Sequence, residues 1–237
     1  MWAVESGRIP RQDNGTREVV IDVPSGRVRA RVRFDEGEIA DVTFVNVPSW
    51  VQATDLPVVT SRGPVTVDVA FGGAMYAVLP AAAVGLDVVP EDYNALIAVG
   101  REIRDKLNAS GVIVHPDDER LSDVYGTIFT APGSSGDPHH HRNVTVFADG
   151  EVDRSPCGSG TAARLAHLVH RGEFAPGDEL RHESIIGTTF KGRVVGEITV
   201  HGRRAVLPEV TGTAYRVGSS EFTIDPRDDL VPGFVLR

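Results

Sequence analysis

Apolar and polar side chains alternate with a period of two along most of this 237-residue chain. That period sends neighbouring side chains to opposite faces of a strand. "REVVIDV", the turn "PSG" and "RVRARVRF" make a hairpin signature. "IADVTFVNV", "VTVDVAF", "AMYAVL", "YGTIFTA", "NVTVFA", "RVVGEITV" and "AVLPEVTGTAYRV" continue it. Val and Thr dominate these runs, as half-buried pleated surfaces favour. A chain built this way must fold around sheet.

Two stretches depart from the period. In "PEDYNALIAVGREIRDKLNAS" (90–110), Leu96, Ile103 and Leu107 fall on one helical face, with acids in the first turn and basic residues nearer the end. This predicts a surface helix with one buried stripe. In "TAARLAHLVHRG" (161–172), Ala162, Leu165, Ala166 and Val169 share a face. Ala163 and Leu168 leave apolar groups on much of the remaining circumference, and Gly172 supplies a stop. Such a helix belongs inside the sheet. The fold class is therefore α+β, many twisted strands around one buried helix with a second helix outside. "APGSSGDPHHH" (131–141) reads as a surface loop.

Lys and Arg number 24 against 33 Asp and Glu, and the formal net charge is −9. This argues against a nucleic-acid or anionic-membrane surface and favours small-molecule chemistry. One Cys cannot form an internal disulfide, and no stretch approaches the length of a membrane span. A reduced thiol in the cytoplasm is the expectation.

That Cys157 lies in "EVDRSPCGSGTAAR", just before the apolar helix. A helix N-terminus offers unpaired N–H groups and the positive end of the dipole, both favouring thiolate over thiol. Gly158, Ser159 and Gly160 leave the backbone uncrowded, so the same N–H groups suit a ligand carboxylate. Asp153 is placed to accept a hydrogen bond from an amine. An amine, a carboxylate and a thiolate around one carbon describe an amino acid awaiting α-proton removal. Packing alone also explains a lone Cys beside a buried helix, and the residue types leave both readings open.

"DRSPCGSGTAAR" (153–164) resembles the second active-site motif of the proline racemase family, which includes proline racemases, hydroxyproline 2-epimerases and trans-3-hydroxyproline dehydratases. "NVPSW" (46–50), "FGGAMYAV" (71–78), "HPDDERL" (115–121), "RNVTVFADGEVDRSP" (142–156), "ESIIGTTFKGRVVGE" (183–197) and "DPRDDLVPGFVL" (225–236) are similar too. The resemblance implies a cofactor-independent mechanism in which one group removes the α-proton from one face and a second delivers a proton to the other, since one group cannot serve both faces. It makes Cys157 one acid/base, places Gly158 and Ser159 at the carboxylate, and sets Asp153 at the ring nitrogen. Ser159 stands where the family often has Thr, which keeps the hydroxyl. Family dehydratases are expected to carry Thr at position 157, so Cys157 favours a racemase or epimerase. The substrate implied is proline or a hydroxyproline, with a lean toward the latter. No metal is expected, and a homodimer is possible within the family.

The resemblance also implies a diaminopimelate epimerase-like fold of two α+β halves, each a curved sheet around a central helix. Residues 48–221 match a complete second half carrying Cys157. Residues 1–47, joined by a returning segment 222–237, match a remnant of the first. The family's other catalytic loop, of Cys-Gly-His-Gly type, has no counterpart here, and "MWAVESGRIP" resembles the last turns of the helix that follows it. The second base is thus expected before Met1, and this chain is expected not to invert a stereocentre by the two-base route. A sheet lacking strands exposes edge groups and apolar surface.

Two other functions stay open: an imino-acid-binding remnant without turnover, and a Cys-dependent hydrolase. His167 and His170 lie roughly 15 to 20 Å along the helix from Cys157, too far to serve as its base. "HHH" (139–141) reads as a solvated loop, since consecutive histidines do not converge on one ion. His115 reads as a turn residue.

Overall fold

The computed structural model describes residues 1–175, 177–231 and 233. Residues 11–213 form one compact unit. Its strands are β1 (Gly15–Val23), β2 (Gly26–Asp35), β3 (Glu38–Val45), β4 (Trp50–Thr60), β5 (Gly63–Phe71), β6 (Met75–Pro80), β7 (Val124–Pro132), β8 (His140–Phe147), β9 (Glu151–Val152), β10 (Glu179–Ser184), β11 (Thr189–Val200) and β12 (Arg203–Gly212). They make one sheet in the order β1-β2-β3-β12-β11-β10-β8-β7-β6-β5-β4, with β9 beside β8. Neighbours are antiparallel except β8 with β10 and β6 with β7. A bridge from Ser49 to Val206 links the start of β4 to β12, so the path from β12 to β4 curls back on itself.

The predicted hairpin is β1–β2. Along β2, Val28, Ala30, Val32 and Phe34 are buried, while the intervening arginines face outward. Arg27 meets Asp22 at 2.7 Å, Arg29 meets Glu18 at 3.0 Å and Arg33 meets Asp41 at 2.7 Å. Arg31 reaches the buried Glu209 of β12, which Arg193 of β11 also engages at 2.5 Å. β1 is an edge with Val20 and Ile21 exposed.

The curled sheet holds helix α3 (Gly158–His170), which touches β4, β5, β6, β11 and β12. Every residue from Gly160 to Val169 is buried, and Gly172, at φ 72°, follows its end. That matches the apolar circumference predicted for it. Helix α2 (Tyr93–Ser110) packs outside on β4, β7 and β8, burying Leu96, Val99, Ile103 and Leu107. A short 3-10 turn over Pro90–Asp92 precedes it.

β4 and β10 are among the strands that escape the alternation. β4 contains register shifts between Val51 and Ala53 and between Ala53 and Leu56, and Asp55 takes φ 57°. Bulges turn successive side chains out of a two-residue period. In β10 the buried positions include His182, Glu183 and Ser184, so polarity does not mark the inner face.

Residues 1–10 and 214–237 form a second unit. It holds α1 (Trp2–Glu5), a single turn with Arg8 4.8 Å over the Trp2 ring. The Ala214 N–H points to Met1 Sδ at 3.1 Å. The alternation read through "AYRV" does not continue as strand: β12 ends at Gly212, and Tyr215 and Val217 are exposed. The segment 222–237 forms no strand among the described residues. Residues 232 and 234–237 of it lie outside them. No helix among the described residues is long and apolar enough to cross a membrane.

Candidate active site

The loop from β9 into α3 is wound by its own side chains. Asp153 Oδ1 accepts from both the N–H and the hydroxyl of Ser155, each at 2.8 Å. Ser155 Oγ in turn accepts from the Cys157 N–H at 3.1 Å. The Pro156 carbonyl, which the helix leaves outside its ladder, accepts from Asn143 Nδ2 at 3.0 Å and from Thr161 Oγ1 at 3.3 Å. Asp, Ser and Pro at these places are therefore a device that fixes where Cys157 enters the helix.

Cys157 occupies the N-cap, with φ 66° and ψ 119°. Its sulfur accepts from the Gly160 N–H at 3.3 Å, replacing the hydroxyl or carboxylate usual at such a cap. A Cβ at Gly160 would lie 3.0 Å from that sulfur, so glycine gives the sulfur room to approach. Gly72, between β5 and β6, has the same logic: a Cβ there would lie 2.2 Å from the Ser159 carbonyl oxygen and 2.5 Å from the Ala163 nitrogen. The first turn of α3 lies against bare backbone. The N–H groups of Gly158 and Ser159 have no hydrogen-bond partner among the described residues. Unpaired N–H groups at a helix start are able to receive an anion.

Opposite the sulfur stands Tyr76 of β6, fully buried. Its hydroxyl lies 2.7 Å from Ser159 Oγ and 3.8 Å from Cys157 Sγ. Ser159 Oγ is 3.9 Å from the sulfur. The sequence reading passes over Tyr76. It sits in the quoted "FGGAMYAV", but only the sheet order, which lays β6 along α3, brings it to the thiol.

The structure corrects the expected ionisation of Cys157. Burial pushes the thiol above its ordinary value. The Gly160 N–H pulls it down, the Asp153 charge pushes it up again, and the hydroxyls of Tyr76 and Ser159 pull it down. The net direction is up, so the resting group is the thiol. A helix N-terminus lowers a thiol that stays in contact with water, whereas this one is 8% exposed. Burial also lifts the Tyr76 phenol well above its ordinary value, so it remains protonated.

Of the other candidates, Asp153 commits Oδ1 to the loop, while Oδ2 makes no hydrogen bond among the described residues. Gly158 and Ser159 are half-buried at the mouth of the site. His167 is engaged elsewhere: its Nε2 lies 2.6 Å from Asp68 Oδ2, and its Nδ1 lies 2.5 Å from Arg164. Burial keeps it neutral, so Nε2–H donates to Asp68 and Nδ1 accepts from Arg164. His115 closes a turn, its Nδ1 accepting from the N–H groups of Asp117 and Asp118.

The triple histidine is not a solvated loop throughout. β8 begins at His140, which is 1% exposed, with Nε2 2.7 Å from Glu183 and Nδ1 2.7 Å from the Ser135 hydroxyl. The Ser135 hydroxyl pairs with Nδ1, while the buried Nε2 lies beside the Glu183 carboxylate without a well-aligned hydrogen bond, which composition does not reveal. No cluster of three or more His, Cys, Asp or Glu suited to a metal ion occurs among the described residues.

The family model described as proline racemase matches residues 1–235. A trans-3-hydroxy-L-proline dehydratase from Burkholderia cenocepacia is 45% identical over 237 residues, covering 99% of this chain and 70% of that protein. A 3-hydroxyproline 2-epimerase from Burkholderia multivorans is 44% identical with the same coverage. The crystal structure of a hydroxyproline epimerase from Agrobacterium vitis, with trans-4-hydroxy-L-proline bound, superimposes with TM-score 0.90 at 35% identity, over 99% of this chain and 67% of that one. The chain spans about two thirds of the length of curated relatives it matches, 65 to 70% in the examples compared. The fold is the diaminopimelate epimerase-like α+β arrangement expected, and by sequence and by structure the chain belongs to the proline racemase family.

Proposed function

We propose that this chain moves the α-proton of proline or a hydroxyproline through Cys157, without a cofactor, as racemases and epimerases do. The observation that carries this reading is a single thiol capping a buried helix beside two unpartnered N–H groups. In this reading the ligand carboxylate takes the Gly158 and Ser159 N–H groups, and the ring nitrogen donates to Asp153 Oδ2. The α-carbon then lies toward the sulfur. As thiolate, Cys157 takes the α-proton and the C–H electron pair stays on carbon; as thiol it gives a proton back.

The names of the relatives divide between epimerase and dehydratase at nearly equal identity, so identity does not choose between them. Cys157, where the dehydratases are expected to carry Thr, favours the epimerase. The sequence holds one cysteine. These residues by themselves therefore support exchange on the Cys157 face. Residues 48–221 would then be the half that carries the Cys157 face. A reduced thiol suits the cytoplasm.

Protection of Cys157 from iodoacetamide tests the reading. L-Proline, trans-4-hydroxy-L-proline and trans-3-hydroxy-L-proline are each expected to slow alkylation of the intact chain, the hydroxyprolines most. Identical alkylation rates with and without saturating amounts of all three would sink it.

A further inference from the structure

The pair Tyr76 and Ser159 has geometry that simple packing does not require. Resting on the reading of Cys157 as an acid/base, we propose that Tyr76 is a positioning residue whose hydroxyl turns from Ser159 to the Cys157 sulfur when the sulfur loses its proton. A phenol carries one proton and a serine hydroxyl carries one, so each can donate to one partner at a time. Tyr76 Oη has two acceptors in reach, Ser159 Oγ at 2.7 Å and Cys157 Sγ at 3.8 Å.

While Cys157 is a thiol, the better acceptor is the Ser159 oxygen. Tyr76 then donates to it, and the Ser159 proton is free to point at a ligand carboxylate. Once Cys157 is a thiolate, the sulfur is the stronger acceptor, because hydrogen bonds to ions are about twice as strong as neutral ones. Tyr76 donates to the sulfur, and Ser159 now donates to the Tyr76 oxygen. Loss of one proton thus reverses two hydroxyls, and the grip of Ser159 on the carboxylate follows the protonation state of Cys157. No bond other than S–H forms or breaks.

The surroundings fit this role. Tyr76 is 1% exposed, and burial keeps its own proton in place. The other groups facing the sulfur are Asp153, whose charge opposes the thiolate, and Tyr125 of β7, whose ring meets that of Tyr76 edge-on with centroids 6.0 Å apart. Against Asp153, a donor able to turn toward the sulfur gives the thiolate a stabilising partner.

Cys157 is the one cysteine of the chain, so the pH dependence of its alkylation by iodoacetamide reports this site alone, with no ligand present. Tyr76→Phe is expected to raise the midpoint by about one pH unit, the worth of a hydrogen bond to an ion. Ser159→Ala is expected to raise it by less, because it removes the hydroxyl that backs Tyr76 in the thiolate state. A midpoint that stays or falls in either variant overturns the proposal. Should near-ultraviolet circular dichroism show Tyr76→Phe unfolded, Ser159→Ala decides alone. Because no imino acid takes part, failure here is separate from failure of the proposed function, which the protection assay reads.

Discussion

At φ 66°, Cys157 adopts a backbone conformation that residues with a side chain rarely take and that costs on the order of 1 to 3 kcal/mol. The Ser155 hydroxyl on its N–H and the Gly160 N–H on its sulfur hold it there. Its place at the start of a helix was legible in "PCGSGT", because glycines, a helix-compatible run and a preceding proline are local signals. Its ionisation was not legible, because burial and the field of Asp153 arise only when the sheet closes over the loop. Asp68 carries a second prediction at this scale. Burial alone would raise its carboxyl, but hydrogen bonds from His167, Arg171 and the Asp55 N–H outweigh that and hold it well below the usual carboxylate range. A depressed carboxyl contributes stability that is present above its unfolded value of 3.8 and lost as pH falls through and below it. Asp68→Asn is expected to cost about 3 kcal/mol at neutral pH and to flatten the loss of stability below pH ~4, measured by urea unfolding across that range. An unchanged acid limb would show that Asp68 does not carry it.

Helix α3 sets the site because the sheet leaves it almost no freedom. Its burial on all sides was legible, since Ala163 and Leu168 fall off the face shared by Ala162, Leu165, Ala166 and Val169. The strands that bury it were only partly so. β4 hides its period behind bulges, and β10 buries His182, Glu183 and Ser184 in place of apolar residues. Tyr76 went unrecognised for a related reason: an aromatic in an alternating strand looks like any packing residue until its neighbour is known. Gly72 supplies the prediction here. Gly72→Ala places a methyl against the Ser159 carbonyl and the Ala163 nitrogen, both backbone atoms that cannot swing aside. It is expected to destabilise the chain by about 1 to 3 kcal/mol, the cost of overpacking. Gly218→Ala, with nothing within 4 Å of the new Cβ, is expected to leave stability unchanged in the same urea experiment. Equal effects would deny that α3 is seated on Gly72.

Across the whole molecule, the α+β class and the family follow from local runs spread over nearly the entire chain. The sheet order does not, because β3 pairs with β12 and β8 with β10, joining segments far apart in sequence by contacts no local pattern encodes. That order brings β6, the β9–α3 loop and the start of α3 together, and hence Tyr76, Asp153 and Cys157. The central claim is that this assembly moves an α-proton through one sulfur. Proton NMR of trans-4-hydroxy-L-proline, trans-3-hydroxy-L-proline and L-proline in deuterated water with the 237-residue chain tests it directly. The account predicts loss of the α-proton signal of at least one of them, at a rate that climbs as pH rises past the ordinary thiol value of about 8.5, and its abolition in Cys157→Ala. A signal that persists for all three imino acids, or exchange undiminished in Cys157→Ala, would contradict it.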